Sequence, residues 1–408
     1  MVQKVVSSSS ESNQYSVIDG QKKAVELRRS VNSMYFDLGL TKDEISVILG
    51  VSKGFVVNWT QHSQQDPKQD LRGWPKGKHR SYDPVIVERV RRLHQQLVDD
   101  PREAFTGATA IALAWRDHYR GEEIPSLRYI GKIMSAEGLT KPHRGRQKGA
   151  LRRLCYPEDT LHLMVGNRLL ESDFVGQKFL RGGEGPLNFV GFCFKKEPRL
   201  RWYYQVEAQN TDAILSTSAD FFERFEIPDA IKVDNAAAMH GTTSGKRCLS
   251  RFHHQMLSQQ VIPVHSVPRT PSTQASIEGN NSVFSRFLWN KHEFKDRAQV
   301  TEHLGYFNQS SARYLRYERP TEPRSVSKTW SPAVYFLRQV REDPDTKRAV
   351  ISVANELIEL DSKLISYFVL AQWQLENSML NIILEKEQGP EQIASVPFEI
   401  NKNSTYRI

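Results

Sequence analysis

The chain is poor in cysteine. Its 408 residues hold only Cys155, Cys193 and Cys248, widely separated and odd in number. They suggest neither a disulfide framework nor a Cys-x-x-Cys zinc site, and a reducing, cytoplasmic compartment is expected. Long apolar runs are absent too: none approaches the ~20 residues that span a bilayer. The N-terminus lacks the apolar stretch of a signal peptide, and no membrane partner is expected. Negative charge is the scarcer sign, with 47 Asp and Glu against 56 Lys and Arg and a formal net charge of +9. Such an excess favours a polyanionic partner, most often nucleic acid. Hydrophobic residues make up 39% of the chain, enough for folded cores. The length predicts roughly two to four domains.

Residues 1–21, with their serine run, read as a disordered lead-in. Residues 22–65 carry a helix-turn-helix pattern in LTKDEISVILGVSKGFVVNWTQ. Thr41 caps a helix that turns Ile45, Ile48 and Leu49 inward, and Gly50 ends it. Val51 anchors the turn, and Ser52 caps a second helix with Val56 and Trp59 inside. Lys53, Phe55 and Asn58 then face outward, where a recognition helix meets the DNA major groove. A polar linker, 66–82, leads to a second all-α unit, 83–140, with helices at Pro84–Asp100, Gly107–Tyr119 and Ile124–Leu139. Ser126 caps the last helix, Ile130, Ile133 and Met134 turn inward, and Arg128, Tyr129 and Lys132 face DNA in a second helix-turn-helix. In the basic linker 141–165, Arg144, Arg146 and Lys148 are placed to track phosphates.

From Leu169 the texture turns to β. Strands are predicted at Leu169–Leu180, Leu187–Phe194, Arg201–Ala208, Ala230–Val233 and Val261–Pro268. Helices are predicted at Asn210–Glu226 and Ser272–Asn290, the latter with Ile277, Phe284 and Leu288 inward. That order, a three-strand meander followed by alternating helix and strand, is the order of a ribonuclease H-like α/β domain, assigned to 166–325. Three carboxylates stand out on it: Asp173 on the first strand, Asp234 at the end of the fourth, and Glu278 on the late helix. With the first and fourth strands adjacent and the helix against them, the three converge. Converging carboxylates repel one another unless a cation sits among them. Hard oxygen ligands suit Mg²⁺ or Mn²⁺, two ions per site in an in-line phosphoryl transfer. Gln274, Asn281, Ser282 and Ser285 are expected on or near the Glu278 face, and Arg269 and Arg286 at the DNA backbone. His253 and His254 read as loop or DNA contacts and His265 as packing or turn structure. Residues 326–400 read as a small all-β barrel with strands at Val350–Val353, Leu357–Leu360, Leu364–Leu370 and Leu380–Leu384. Helix is an open alternative for Leu357–Glu376, and 401–408 form a tail.

Residues 169–320 resemble the catalytic core of DDE transposases of the retroviral-integrase superfamily, especially bacterial insertion-sequence transposases. The resemblance is carried by SDFVG around Asp173, IKVDNAAAMHG around Asp234, VPRTPSTQASIEGNNSVFSRF around Glu278, and LGYFNQSSARYLRYERPTEP at Leu304–Pro323. The two helical units resemble the end-binding domains of such transposases. The resemblance implies a polynucleotidyl transferase whose Asp173, Asp234 and Glu278 hold two Mg²⁺ or Mn²⁺ ions. The helical units would bind the terminal inverted repeats of a mobile element. Cleavage would free a 3′-hydroxyl that is then joined to target DNA. Double-stranded DNA, self-association into a dimer or larger synaptic complex, and a place at the bacterial nucleoid are implied with it. The interval from Asp234 to Glu278 is longer than is usual in that family, with the extra residues expected at His240–Met256. Two other readings fit the same residues: a non-catalytic DNA-binding regulator of this fold, and a metal-dependent nuclease that cuts without joining.

Overall fold

The computed structural model describes residues 25–60, 82–140, 158–183, 185–241, 245–268, 275–321 and 330–401. The lead-in, most of the 66–82 linker, and Arg144, Arg146, Lys148, Arg269 and Gln274 lie outside the described residues, as does nearly all of the tail. The chain divides into two units, Met1–Tyr82 and Asp83–Ile408.

In the first unit, helix α1 (25–32) runs into a π-helical turn at Ser33–Asp37. Helix α2 (Lys42–Leu49) starts at a reciprocal cap: the Thr41 hydroxyl accepts from the Glu44 amide at 3.3 Å, and the Glu44 carboxylate accepts from the Thr41 amide at 2.8 Å. Gly50 ends it at φ 62°, a left-handed conformation that glycine adopts without a Cβ clash. Helix α3 (Lys53–Thr60) begins where the Phe55 amide donates to the Ser52 hydroxyl. Val31, Ile45 and Val56 form the core, with Leu49, Val51, Phe55 and Trp59 packed against it. Two expectations need correcting. Ile48 is 57% exposed, because so short a helix offers one narrow inner stripe and Ile45 and Leu49 fill it. Phe55 is half-buried on the core, one turn from Trp59.

The second unit opens with α4 (Pro84–Asp99), α5 (Ala108–His118) and α6 (Leu127–Ala136). The Ser126 hydroxyl caps α6 by accepting from the Tyr129 amide, and Ile130, Ile133 and Met134 are buried as expected. This helical group is not a free-standing domain. Phe105, in the α4–α5 loop, stacks on Tyr314 and packs on Phe287 and Phe307, and Lys291 donates to the Glu103 carbonyl. An aromatic contact of that size ties the group to the rest of its unit.

Helix α7 (Glu158–Val165) leads into the sheet. Strands β1 (Leu169–Lys178), β2 (Leu187–Phe194) and β3 (Leu200–Val206) form an antiparallel meander. Helix α8 (Thr211–Arg224), capped by Asn210, returns the chain to β4 (Ala230–Val233), which pairs parallel with β1. Helices α9 (Ala237–His240) and α10 (Arg251–Ser258) occupy the longer interval, and β5 (Ile262–His265) pairs parallel with β4. Helix α11 (Ala275–Phe284), a π-helical turn at Ser285–Trp289, and α12 (Arg297–Tyr314) complete this part. Alternation along the strands gives the sheet two different faces. Leu170, Val190, Phe192, Ile231 and Val233 meet α8 and α10 through Ile214, Phe221, Phe252 and Met256. On the other face Phe189 and Tyr203 meet Phe284 of α11 and, through Tyr203, Phe307 of α12.

The C-terminal strands are β6 (Ala333–Gln339), β7 (Arg341–Glu342), β8 (Ala349–Val353), β9 (Glu356–Leu360), β10 (Phe368–Gln374), β11 (Met379–Lys386) and β12 (Gly389–Pro397). They do not form the separate small barrel expected from the sequence. Strand β6 pairs parallel with β5, so one nine-stranded sheet runs β12-β11-β10-β6-β5-β4-β1-β2-β3. Strands β7, β8 and β9 make a second sheet that shares a core with it through Phe336, Ile351, Val353 and Trp373. Helix at Leu357–Glu376 is excluded: Asp361 caps a single turn at Ser362–Leu364, and Ser366 takes φ 76°, which no helix continues through.

Candidate metal centre

Strand pairing brings the aspartates together. In the parallel β1–β4 pair, Glu171 lies opposite Lys232. The same register, continued two residues, sets Asp173 level with Asp234, just past the end of β4. Neighbouring strands lie ~4.8 Å apart, so the two carboxylates share one face and one height. Asp173 is partly buried, and burial first, then Asp234 and more weakly Glu278, push its carboxyl up to about 7. The Phe174 amide and Asn281 pull the other way, Asn281 by donating to the carboxylate at 3.2 Å. Asp234 is raised as well, by burial, against the Ala236 amide that donates to it at 2.9 Å.

Glu278 comes from α11, where Ile277 and Phe284 are buried, as is Leu288 in the π-helical turn that follows, as the sequence predicts. The helix is fastened across the sheet at several points. Asn280 accepts from the Arg201 guanidinium at 2.5 Å and donates to the Cys193 sulfur at 2.6 Å. The Tyr203 hydroxyl reaches Asn281, and Lys178 donates to Ser285. Gly191, opposite Asp173, leaves the space: a Cβ there would lie 2.6 Å from the Tyr203 ring. Glu278 itself is exposed. Among the described residues no group of three His, Cys, Asp or Glu side chains is arranged to hold a metal ion as it stands. The donor set nonetheless fits a hard divalent cation: all oxygen, two carboxylates at one level, both held back from ionising by burial and Asp173 also by its acidic neighbours.

Behind Asp234 lies a buried polar system that the sequence did not announce. The Ser250 amide donates to Nδ1 of His253, so the proton of that ring sits on Nε2. His253 Nε2 then donates to Nε2 of His265 at 2.7 Å, and His265 Nδ1 donates to the Asp234 carbonyl at 3.3 Å. Both rings are neutral: burial drives His253 down to about 3 and His265 well below its usual range. His253 is therefore an interior residue of α10 and not a loop or DNA contact. Arg338 on β6, also buried, donates to the Ser266, Leu337 and Ser352 carbonyls and to the Asn235 side chain. Burial lowers its guanidinium to about 9.

The described residues expected at DNA differ in exposure. Lys53 is exposed and paired with Asp43 at 2.7 Å, and Asn58 is exposed. Arg128 is exposed at the start of α6, whereas Tyr129 and Lys132 are half-buried, and the Tyr129 hydroxyl accepts from the Asp83 amide. Arg286 is exposed one helical turn beyond the Asn281–Ser282 pair.

No protein-family model and no curated protein matches the chain. Among solved structures, one similar chain belongs to a simian T-cell lymphotropic virus intasome in complex with PP2A regulatory subunit B56 gamma. It shares 12% identity over 76% of this chain and 96% of that one, with a TM-score of 0.32. Another belongs to a Mos1 transposase paired-end complex with left transposon end, at 12% identity, 71% and 92% coverage and a TM-score of 0.25. A third, from a pre-cleavage Mos1 transpososome, gives 12% identity, 71% and 93% coverage and 0.18. At such low TM-scores the likeness carries no weight for fold or function. Among the described residues no helix is long and apolar enough to cross a membrane.

Proposed function

We propose that the chain is a DDE-type DNA transposase that binds the ends of a mobile element and catalyses metal-dependent 3′-end cleavage and strand transfer. The observation that carries the reading is the level pair Asp173 and Asp234 on adjacent parallel strands, with Asp173 pushed up to about 7 by burial, Asp234 and Glu278. The strand order β3-β2-β1-β4-β5, with helices on both faces, supports a ribonuclease H-like core. Asp173 and Asp234 would hold Mg²⁺ or Mn²⁺ from the sheet and Glu278 from α11. Two such ions, when bound, supply the charge that activates an attacking oxygen and stabilises a leaving one. Asn281 orients the Asp173 carboxylate, and the buried network behind Asp234 fixes the backbone from which it projects. Arg286 and the basic stretches with Arg269, Arg144, Arg146 and Lys148 would meet phosphates. Lys53, Phe55, Asn58, Arg128, Tyr129 and Lys132 belong to the two helical units that would read element ends. Joining two ends requires a DNA-bound dimer or larger assembly.

The test is a strand-transfer assay with the element's own ends, a plasmid target and Mg²⁺ or Mn²⁺. Wild type should join DNA, and Asp173→Asn, Asp234→Asn and Glu278→Gln should each lose at least ~10³-fold while still binding the ends. Cutting without joining would identify a nuclease. A DNA-binding regulator of the same fold, with idle acids, is the alternative reading. Specific binding with no chemistry in either metal would establish it.

A further inference from the structure

We propose that Glu171 is the positioning residue that sets the three acidic elements against one another. The inference rests on the metal reading of Asp173, Asp234 and Glu278. Glu171 is 3% exposed and uses both carboxylate oxygens. Oε1 accepts from the Lys232 ammonium at 3.1 Å, and Oε2 accepts from the Ile277 backbone amide at 3.1 Å. Each end of this junction adjoins one acid. Glu171 stands two residues before Asp173 on β1, and Lys232 two residues before Asp234 on β4. Ile277 immediately precedes Glu278 on α11. Residues two apart on a strand share a face, so the ion pair lies directly beneath the aspartate pair.

The two layers differ in charge. Beneath, an acid meets a base and the layer is neutral. Above, acid meets acid and the layer awaits a cation. The lower layer therefore adds no net charge to the site. Its contribution is geometric: one side chain holds β1, β4 and the first turn of α11 in mutual register. Hydrogen bonds to a buried carboxylate are charge-assisted and directional, which suits that task. Glu171 touches no reacting atom and acts through the elements it joins. Groups that orient metal ligands without touching the metal typically change affinity 10–100-fold when removed.

Two charge-neutral double variants isolate the effect. In Glu171→Gln with Lys232→Met, the amide oxygen still accepts from Ile277. In Glu171→Leu with Lys232→Met, nothing does. Both remove the Glu171 and Lys232 charges together, so neither of the two is left buried without the other. Mn²⁺ affinity is read by calorimetry and α11 amide protection by hydrogen exchange, with no DNA present. The Gln variant should bind Mn²⁺ within ~3-fold of wild type, and the Leu variant ~10-fold or more weakly, with faster exchange at Ile277. Should the Leu variant fail to fold, Ile277→Pro, which deletes the donor within the first helical turn, must show the same loss. Asp173→Asn is the control. If it abolishes Mn²⁺ binding while the Leu variant binds as wild type does, the proposal alone is wrong. If it leaves Mn²⁺ binding intact, the metal reading fails and the proposal with it.

Discussion

Asp173 and His253 push the pH dependence of stability in opposite directions. Asp173 has a folded pKa raised to about 7, against roughly 4 unfolded. Its contribution is thus complete at low pH and lost as pH rises through 7. His253 has a folded pKa lowered to about 3, against roughly 6.5 unfolded. Its contribution is complete above that value and lost as pH falls. Thermal melts in chelator should therefore show Asp173→Asn more stable than wild type at pH 8, with the gap closing toward pH 5. Mn²⁺ should raise the melting point of wild type at pH 8 and not that of the variant, because the ligand must be deprotonated. A pH-independent gap would mean that Asp173 is not held back from ionising. The carboxylates were legible from their strand and helix positions. Glu171 and Lys232 were legible only in part: each precedes an aspartate by two residues and they carry opposite charge, but nothing local says that the two strands are neighbours.

At the scale of elements, caps and alternation carried the reading. Thr41 and Ser126 each cap the helix expected of them, and β2 and β4 fall where their apolar runs place them. The errors share a cause. Ile48 and Phe55 were assigned faces by helical phase alone, yet in helices so short the neighbouring elements decide which side is covered. His253 reads as a loop or DNA contact because the sequence leaves the α10 stretch without an assigned helix. Of the C-terminal strands the apolar runs place β8, β9 and β11 and only the start of β10; β6, β7 and β12 are not expected from the sequence, and β6 reaches β5 across a large separation in sequence. Arg338 secures that seam. Its replacement by Met removes the charge and leaves buried carbonyls without donors, and should cost about 2–4 kcal/mol in urea melts. A loss below ~1 kcal/mol would mean that the seam does not depend on it.

For the molecule as a whole, the first unit has its own small core, and the second carries the sheet and the acids. Division between Thr60 and Asp83 should give two folded pieces. The C-terminal piece should retain Mn²⁺ binding, and the N-terminal piece should bind DNA with an affinity that falls steeply with salt. Division between Thr140 and Glu158 should instead strip Phe105 of its partners on α12 and yield an insoluble or molten C-terminal piece, as judged by circular dichroism and gel filtration. Two well-folded pieces from the second cut would show the helical group to be independent after all.

Composition, caps and periodicity acted locally, and they determined the net positive charge, the starts of α2 and α6, the positions of β2 and β4, and the three candidate acids. Each is set by residues a few positions apart. Tertiary structure decided which strands pair, that β6 extends the core sheet, that 83–140 joins the larger unit, and that Glu171 meets both Lys232 and Ile277. These depend on contacts between distant segments, whose cost in chain entropy is met only when the whole sheet forms, so no short stretch of sequence declares them.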